Sequence, residues 1–578
     1  MPPTRGTDPL ADYDLSHPID TRSGLRQGLT SYGDPHFSLF LRKAFIKAAG
    51  YGEDALSRPV IGIINTGSGY NPCHANVPQL VEAVKRGVQQ AGAPSSMFLR
   101  NLMSMDTEEM IKAQPMDACI MIGGCDKTVP AQLMGGISAN KPVLPLLTGP
   151  MMPGSYRGKR LGACTDCRNN WADYRAGIID IEEIAAINNE LVPTSGTCGV
   201  MGTASTMAAI TAALGLMPLE GASAPAVSSA RLRIAEATGR NAVSAISEGH
   251  KPQHILSRES FLNAITVLQA IGGSTNAVVH LMAIINRHPT VAGTITLDTF
   301  DEIGRNTPLL VDLKPSGDNY MTDFHNAGGM TALLHHLRPL LHLSVLTITG
   351  QTLGEVLDAA TNHDFPFSRE IIHPLAHPLY PASSIVVLRG NLAPGGAVIK
   401  ASASQDRRLL SHSGPAVVFV NTTDLALRID DPDLQVTPDS VLVLQNIGPI
   451  GNPGMPEAGL IPIPRKLGVL GVTDMLRLSD GRMSGTAGGT VVLHISPESA
   501  QLDSVFGVVQ NGDIIKCDLE SRRLSLEVSE EEIARRIAER KENQPVVAKK
   551  RGYRGLYERS VNQAQHGADF DFLTAAGS

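Results

Sequence analysis

The sequence is poor in aromatic residues and has no long hydrophobic run. Aromatic side chains make up 4% of its 578 residues, and there is one tryptophan. No apolar stretch approaches the roughly 20 residues that a membrane-spanning helix needs. The first residues lack the apolar segment of a secretion signal, and they carry Asp8, Asp12 and Asp14, which a basic mitochondrial presequence would avoid. We therefore expect a cytoplasmic protein that does not enter a membrane.

An excess of positive charge is also missing. The chain has 49 Lys and Arg residues against 56 Asp and Glu residues, which gives a net charge of −7 and a pI of about 6.2. Nucleic acids and anionic membranes bind basic surfaces. The charge balance therefore predicts neither of these partners.

The seven cysteines are an odd number, and we expect reduced thiols rather than a disulfide framework. Three of them follow turns that contain glycine or proline: Cys73 after Asn-Pro, Cys125 after Gly-Gly, and Cys198 after Ser-Gly-Thr. Any one of these alone is most simply a small buried apolar residue. Three thiolates that the fold brought together could instead hold an iron–sulfur cluster with one coordination position open to substrate.

Short apolar runs rich in branched residues predict buried parallel strands over residues 59–65, 118–123 and 142–147. Helical patterns separate these runs, which is typical of an α/β domain with a parallel sheet flanked by helices. Cys73 and Cys125 would follow the carboxyl ends of two strands, where open α/β sheets bind ligands. Cys198 would precede a helix, whose dipole favours a thiolate.

The composition of the sequence changes at a proline-rich stretch near residue 371. Short apolar runs with Gly and Pro turns follow it, which favours a β-rich second domain with a barrel-like sheet. We predict four parts: an N-terminal arm and helix over 1–55, an α/β cluster-binding domain over 56–370, a linker over 371–384, and a β-barrel-like C-terminal domain with a helical tail over 385–578.

Several long motifs stand in order along the chain. They are Gly-Gly-Cys-Asp-Lys at 123–127, Ser-Gly-Thr-Cys-Gly-Val-Met-Gly at 195–202, Gly-Gly-Ser-Thr-Asn at 272–276, Pro-Gly-Met-Pro-Glu at 453–457 and Ser-Asp-Gly-Arg-Met-Ser-Gly-Thr at 479–486. With them, the chain resembles the dihydroxy-acid dehydratase / phosphogluconate dehydratase family of iron–sulfur enzymes from about residue 33 to 573. The resemblance implies an active site between an α/β domain and a β-barrel-like domain.

The resemblance also implies roles for individual residues. A [2Fe–2S] cluster would be bound by three thiolates, from Cys73, Cys125 and Cys198. Mg²⁺ would be bound by Asp126, a carbamylated Lys127 and Glu457. The base would be Ser484, with Lys127 also in the catalytic set. Without the resemblance, Glu457 reads as a solvated loop carboxylate and Ser484 as a turn hydroxyl.

The implied reaction is the dehydration of a 2,3-dihydroxy acid to a 2-keto-3-deoxy acid by a hydro-lyase. The C-terminal motif at residues 551–573 resembles the branch that acts on sugar acids such as arabinonate or xylonate. A small-molecule sugar acid or dihydroxy acid is therefore the expected substrate, and a homodimer or homotetramer is the expected assembly.

Two alternatives stay open. One is dihydroxy-acid dehydratase of branched-chain amino-acid biosynthesis, which shares the family motifs. The other is a catalytically impaired paralogue. It is motivated by the segment after Gly92, where relatives carry a longer loop with an acidic metal ligand and this chain runs directly into residues 95–102.

Overall fold

The computed structural model describes residues 61–65, 76–85, 97–162, 165–361, 364–543 and 550–575. The predicted N-terminal helix, Cys73 and the short segment after Gly92 lie outside these residues.

The N-terminal part contains a parallel sheet. Its strands are β1 (Ile61–Asn65), β2 (Ala118–Gly123) and β3 (Val143–Leu147), in that order across the sheet. Every residue of β2 and β3 is buried, which explains why these strands read as continuous apolar runs rather than alternating ones. The three predicted strands are confirmed, and so is the parallel sheet flanked by helices. A short antiparallel pair, β4 (Gly154–Tyr156) and β5 (Lys159–Leu161), follows β3.

Helices account for most of the remaining N-terminal part. The longer ones are Val77–Lys85, Met97–Ala113, Thr128–Ala139, Thr165–Arg175, Ile181–Glu190, Thr203–Ala213, Ser229–Glu248, Arg258–Ala270, Asn276–Asn286, Leu297–Asn306 and Gly329–Leu337. Asn276–Asn286 is buried at every position because it is apolar on all sides. Among the described helices, none is both long and apolar enough to span a membrane.

The C-terminal part is built around an eight-stranded mixed sheet. Its strands are β6 (Ile385–Leu388), β7 (Gly396–Lys400), β8 (Ser411–Phe419), β9 (Val441–Leu444), β10 (Arg477–Ser479), β11 (Val491–Ser496), β12 (Ile514–Asp518) and β13 (Arg523–Leu526). Across the sheet they run β13-β12-β8-β9-β10-β11-β7-β6. One bridge, between Arg389 and Arg523, joins the two edges, so the sheet is nearly closed. The eight strands confirm the prediction of a β-rich C-terminal region.

The segment predicted as a linker packs against the N-terminal part. A short helix, Pro366–Ile371, immediately precedes it. Ile372 then forms a bridge with Val311, and Tyr380 forms one with Leu309. The prolines that indicated a linker therefore belong to a connection held by backbone hydrogen bonds.

The C-terminal residues fold back onto the N-terminal helices. Tyr557 and Phe570 pack in one apolar cluster with Met97, at the start of helix Met97–Ala113. The buried Arg100 guanidinium donates to the carbonyl oxygens of residues 567 and 568 at 2.9 and 2.8 Å. The tail is thus part of the folded core rather than an appendage.

One lysine is buried in the sheet without a partner. Lys400, at the end of β7, is 1% exposed, and its ammonium has no hydrogen-bond partner among the described residues. Burial lowers the pKa of Lys400 to about 7. The folded protein therefore holds this amine mostly neutral above pH 7, whereas the unfolded chain keeps it charged to a pH of about 10.4.

This difference predicts a pH-dependent stability. Between pH 7 and 10 the unfolded state binds more protons at Lys400 than the folded state does, so the free energy of unfolding rises with pH. Relative to Lys400→Met, wild type should gain about 1.4 kcal/mol per pH unit across this window. Urea unfolding at pH 6, 8 and 10 measures the difference. Lys516→Met, at an exposed position of β12, is the matched control. Its free energy of unfolding should change with pH in the same way as that of wild type. The prediction would be contradicted if the free energy of unfolding of Lys400→Met changed with pH in the same way as that of wild type.

Candidate active site

The Cys125–Lys127 segment lies directly after β2, at the carboxyl edge of the parallel sheet. A Cβ atom on Gly124 would lie 1.8 Å from Thr148 Oγ1, so only glycine lets the end of β3 come this close. Lys127 then occupies the position just before helix Thr128–Ala139. The predicted position of Cys125 after a strand end is confirmed.

Glu457 reaches the same place from the C-terminal part. It follows a turn in which Gly454 and Met455 have φ angles of +96° and +48°. A Cβ on Gly454 would lie 3.0 Å from the Phe98 backbone nitrogen, so helix Met97–Ala113 fixes this turn. The Arg482 Nε atom donates to the Met455 carbonyl at 2.7 Å and holds the turn from the other side.

Four charged side chains meet where the two parts join. The Lys127 ammonium forms ion pairs with Asp126 and with Glu457, the latter at 2.9 Å. Arg482 Nη1 also lies 2.9 Å from Glu457 Oε1. Burial alone would raise the pKa of Glu457, but Lys127 and Arg482 outweigh it and lower that pKa to about 2. Glu457 is therefore a carboxylate at any physiological pH.

Asn276 connects these charges to the rest of the site. Its Nδ2 atom lies 3.0 Å from each of three oxygens, which belong to Glu457, Thr203 and the Met483 carbonyl. Its Oδ1 atom accepts from Arg482 at 3.1 Å. One buried amide thus ties together helices Thr203–Ala213 and Asn276–Asn286 and the chain after β10.

Ser484 follows Met483 in this network. Its hydroxyl lies 2.8 Å from Thr486 Oγ1 and is partly exposed. The Thr486 carbonyl accepts from the Thr165 hydroxyl at 2.8 Å. An isolated bridge between Ala458 and Met483 also places Ser484 beside the segment that carries Glu457.

Two of the three predicted cluster cysteines are described. Cys125 and Cys198 are both partly buried, and the Cys125 thiol donates to Asp126 Oδ1 at 3.3 Å. Thr197, next to Cys198, pairs with Pro150 on the chain that leaves β3. Both cysteines therefore lie on segments at the carboxyl edge of the parallel sheet. Cys73 lies outside the described residues.

The donor set around Lys127 suits a hard cation. Asp126 and Glu457 direct carboxylate oxygens at one positive charge, and oxygen ligands of this kind are what Mg²⁺ prefers. An ammonium cannot itself bind a metal, but its carbamate would offer anionic oxygens in the same place. Within the described residues, no group of three His, Cys, Asp or Glu side chains is arranged to hold a metal ion. Asp126, Glu457 and a carbamate on Lys127 would together offer the oxygen ligands of a magnesium site.

The sequence analysis missed several residues that build the site. Asn276 and Arg482 stand inside quoted motifs, which was the available signal, but neither was given a role. Arg100 and His280 carried no such signal. His280 Nδ1 lies 3.2 Å from Arg100 Nη1, and burial together with that cation holds the pKa of His280 well below its usual value. His280 is thus a neutral acceptor on the same helix as Asn276.

Comparison with known proteins identifies the family. The chain matches the dihydroxy-acid/6-phosphogluconate dehydratase N-terminal model over residues 58–356 and the corresponding C-terminal model over residues 370–568. These matches cover most of the sequence, so the chain belongs to the dihydroxy-acid/6-phosphogluconate dehydratase family. Dehydratases are hydro-lyases, and this chain is an enzyme of that class.

Several curated relatives align over nearly their whole length. L-arabinonate dehydratase of Rhizobium leguminosarum is 41% identical, with 94% of this chain and 95% of the relative covered. 6-deoxy-6-sulfo-D-gluconate dehydratase of Pseudomonas putida is 40% identical, with 90% and 92% covered. Dihydroxy-acid dehydratase of Caldicellulosiruptor bescii is 34% identical, with 91% and 97% covered. The resemblance drawn from the motifs, including its sugar-acid branch, is confirmed.

Proposed function

We propose that the protein dehydrates a sugar acid, a 2,3-dihydroxy acid, to the 2-keto-3-deoxy acid. The observation that carries the proposal is the convergence of Asp126, Lys127 and Glu457 where the two parts of the chain meet. The higher identity to the two sugar-acid dehydratases than to the dihydroxy-acid dehydratase supports a sugar acid over a branched-chain precursor.

In this proposal Asp126, carbamylated Lys127 and Glu457 bind Mg²⁺, and Cys73, Cys125 and Cys198 bind a [2Fe–2S] cluster. When bound, these groups would supply positive charge that holds the substrate carboxylate and polarises the hydroxyl that leaves. The protein's own residues set the geometry. Arg482 and Asn276 hold Glu457 in one orientation, because each bonds its Oε1 atom.

Ser484 would take the proton from C2. A serine hydroxyl is a weak base in water, so it needs nearby positive charge and hydrogen-bond donors to act as an alkoxide. Thr486 Oγ1, at 2.8 Å, can donate such a bond. As the C2 proton passes to Ser484, the bond between C3 and its hydroxyl breaks, and the departing hydroxide takes up that proton and leaves as water. The resulting enol then tautomerises to the 2-keto acid.

A substrate panel tests the proposal. Anaerobically purified protein with reconstituted cluster and Mg²⁺ is offered pentonates, hexonates and 2,3-dihydroxyisovalerate, and 2-keto-acid formation is measured. Turnover of a sugar acid with a higher kcat/KM than that of 2,3-dihydroxyisovalerate is the expected result. The reverse preference would favour the role in branched-chain amino-acid synthesis.

Absence of turnover on the whole panel, with cluster and Mg²⁺ bound, would contradict the proposal. That outcome would favour the impaired paralogue suggested by the short segment after Gly92. Sequencing the transcript across codons 85–105 shows independently whether that segment is complete.

A further inference from the structure

A groove of about 1260 Å³ runs from the surface to the loop that carries Ser484. Thr486 lines its inner end, and Thr486 Oγ1 is the atom that lies 2.8 Å from the Ser484 hydroxyl. One wall is formed by helices Thr165–Arg175 and Ile181–Glu190, and the other includes residues 460–463. The groove therefore leads to within one hydrogen bond of the proposed base.

Helix Thr165–Arg175 is fixed across this groove at both ends. At the inner end the Thr165 hydroxyl donates to the Thr486 carbonyl at 2.8 Å. At the outer end one nitrogen of Arg175, Nη2, donates to both carboxylate oxygens of Asp430, at 2.6 and 2.8 Å. Residues 165, 168, 172 and 175 share one face of the helix by its 3.6-residue period. Arg168 is thus placed between two anchored contacts, facing the opposite wall.

Arg168 differs from two of the other three arginines that line the groove, Arg175 and Arg477. Arg175 pairs with Asp430, and Arg477 pairs with Asp474 at 2.5 Å. The Arg168 guanidinium lines the groove but has no ion pair or hydrogen bond with any of the described residues. It lies three residues from Thr165, or about 4.5 Å along the helix axis. An unpaired guanidinium in the groove that Thr486 also lines is available to a ligand.

The charge and surface of the groove suit a hydroxylated anion. Four arginines and two aspartates line it, so its field attracts anionic ligands. A guanidinium binds carboxylate, phosphate or sulfonate oxygens in pairs. Trp171, one turn beyond Arg168, also lines the groove and is 55% exposed. Its ring offers an apolar face to the carbon chain of a sugar acid.

We propose that this groove is the subsite for the end of the sugar acid remote from C2 and C3, and that Arg168 determines specificity there by binding an oxyanion at that end. The inference rests on the proposed function and names the feature that would distinguish its substrates. A hexonate with a terminal phosphate or sulfonate should gain most from Arg168, and an unsubstituted hexonate should gain little.

Kinetics on the enzyme with bound cluster and Mg²⁺ test this role. In wild type, kcat/KM for 6-phospho-D-gluconate or 6-deoxy-6-sulfo-D-gluconate should exceed that for D-gluconate by about 10- to 100-fold, the usual range for a charge-assisted hydrogen bond. Arg168→Gln should abolish that advantage through KM, with kcat unchanged, while Arg168→Lys should keep part of it. Comparing the phosphate with the sulfonate shows which oxyanion the groove prefers.

Arg240→Gln is the matched control, because Arg240 is exposed on helix Ser229–Glu248 and does not line the groove. It should leave all three kcat/KM values unchanged. The proposal would be overturned if Arg168→Gln lowered kcat/KM equally for substituted and unsubstituted hexonates. It would also be overturned if Arg168→Gln left every kcat/KM unchanged.

A binding measurement separates this proposal from the proposed function. Trp171 is the only tryptophan of the chain, so its fluorescence reports on the groove alone. In Ser484→Ala protein, 6-phospho-D-gluconate should change the emission, and adding Arg168→Gln should raise the midpoint of that change at least about 10-fold. This result without turnover in wild type would leave the subsite standing and refute the function. Emission that follows protein concentration and ignores the ligand would assign the groove to a second copy of the chain and refute the subsite.

Discussion

Replacing Ser484 with alanine is expected to lower kcat for sugar-acid dehydration by a factor on the order of 10³, within the usual range for loss of a general base. The side chain is partly exposed, and among the described residues its hydroxyl bonds only to Thr486 Oγ1, so its removal leaves no large cavity and no buried charge. KM should change little, because the proposed binding groups lie on Asp126, Lys127 and Glu457. Steady-state kinetics on cluster-reconstituted protein measure both parameters.

Ser247→Ala is the control for this substitution. Ser247 is exposed on helix Ser229–Glu248, and its hydroxyl bonds only to the Ser244 carbonyl. The control should retain full activity. A Ser484→Ala enzyme with kcat within about threefold of wild type would remove Ser484 from the role of base.

Asp569→Leu is expected to lower the free energy of unfolding by about 3–5 kcal/mol. Both Asp569 and Arg287 side chains are fully buried, and their two contacts measure 2.6 and 3.1 Å. Removing the carboxylate strands a buried guanidinium, whose nearest other carboxylate is Glu108 at 3.6 Å. Urea unfolding followed by circular dichroism measures the loss.

The double variant Arg287→Met/Asp569→Leu separates charge from packing. Because apolar replacement of a buried ion pair is often close to neutral, the double variant should be more stable than Asp569→Leu alone. If the two proved equally unstable, the loss would come from packing of the C-terminal tail rather than from the stranded charge.

Local sequence patterns were sufficient for the strands that are apolar throughout. β2 was predicted at its observed bounds because it is a short, uninterrupted apolar run. β10, a three-residue strand that contains Arg477, was missed. It carries a buried charge whose partner, Asp474, comes from the same turn, so its burial could not be inferred from apolar character.

The candidate site could be predicted only through motifs. Glu457 and Lys127 are 330 residues apart, and no local pattern indicates that they meet. Arg482 stood in a recognised motif, but its role could not be predicted, because two of its partners, Glu457 and the Met455 carbonyl, depend on a turn with positive φ angles.

Deuterium labelling tests the central claim most directly. The enzyme is incubated with a sugar acid in D₂O, and the product is analysed by proton NMR. The account predicts a 2-keto-3-deoxy acid that has lost its C2 proton and carries one solvent deuterium at C3, because the enol is protonated there. A sugar acid that is recovered unchanged, or a product that keeps its C2 proton, would contradict it.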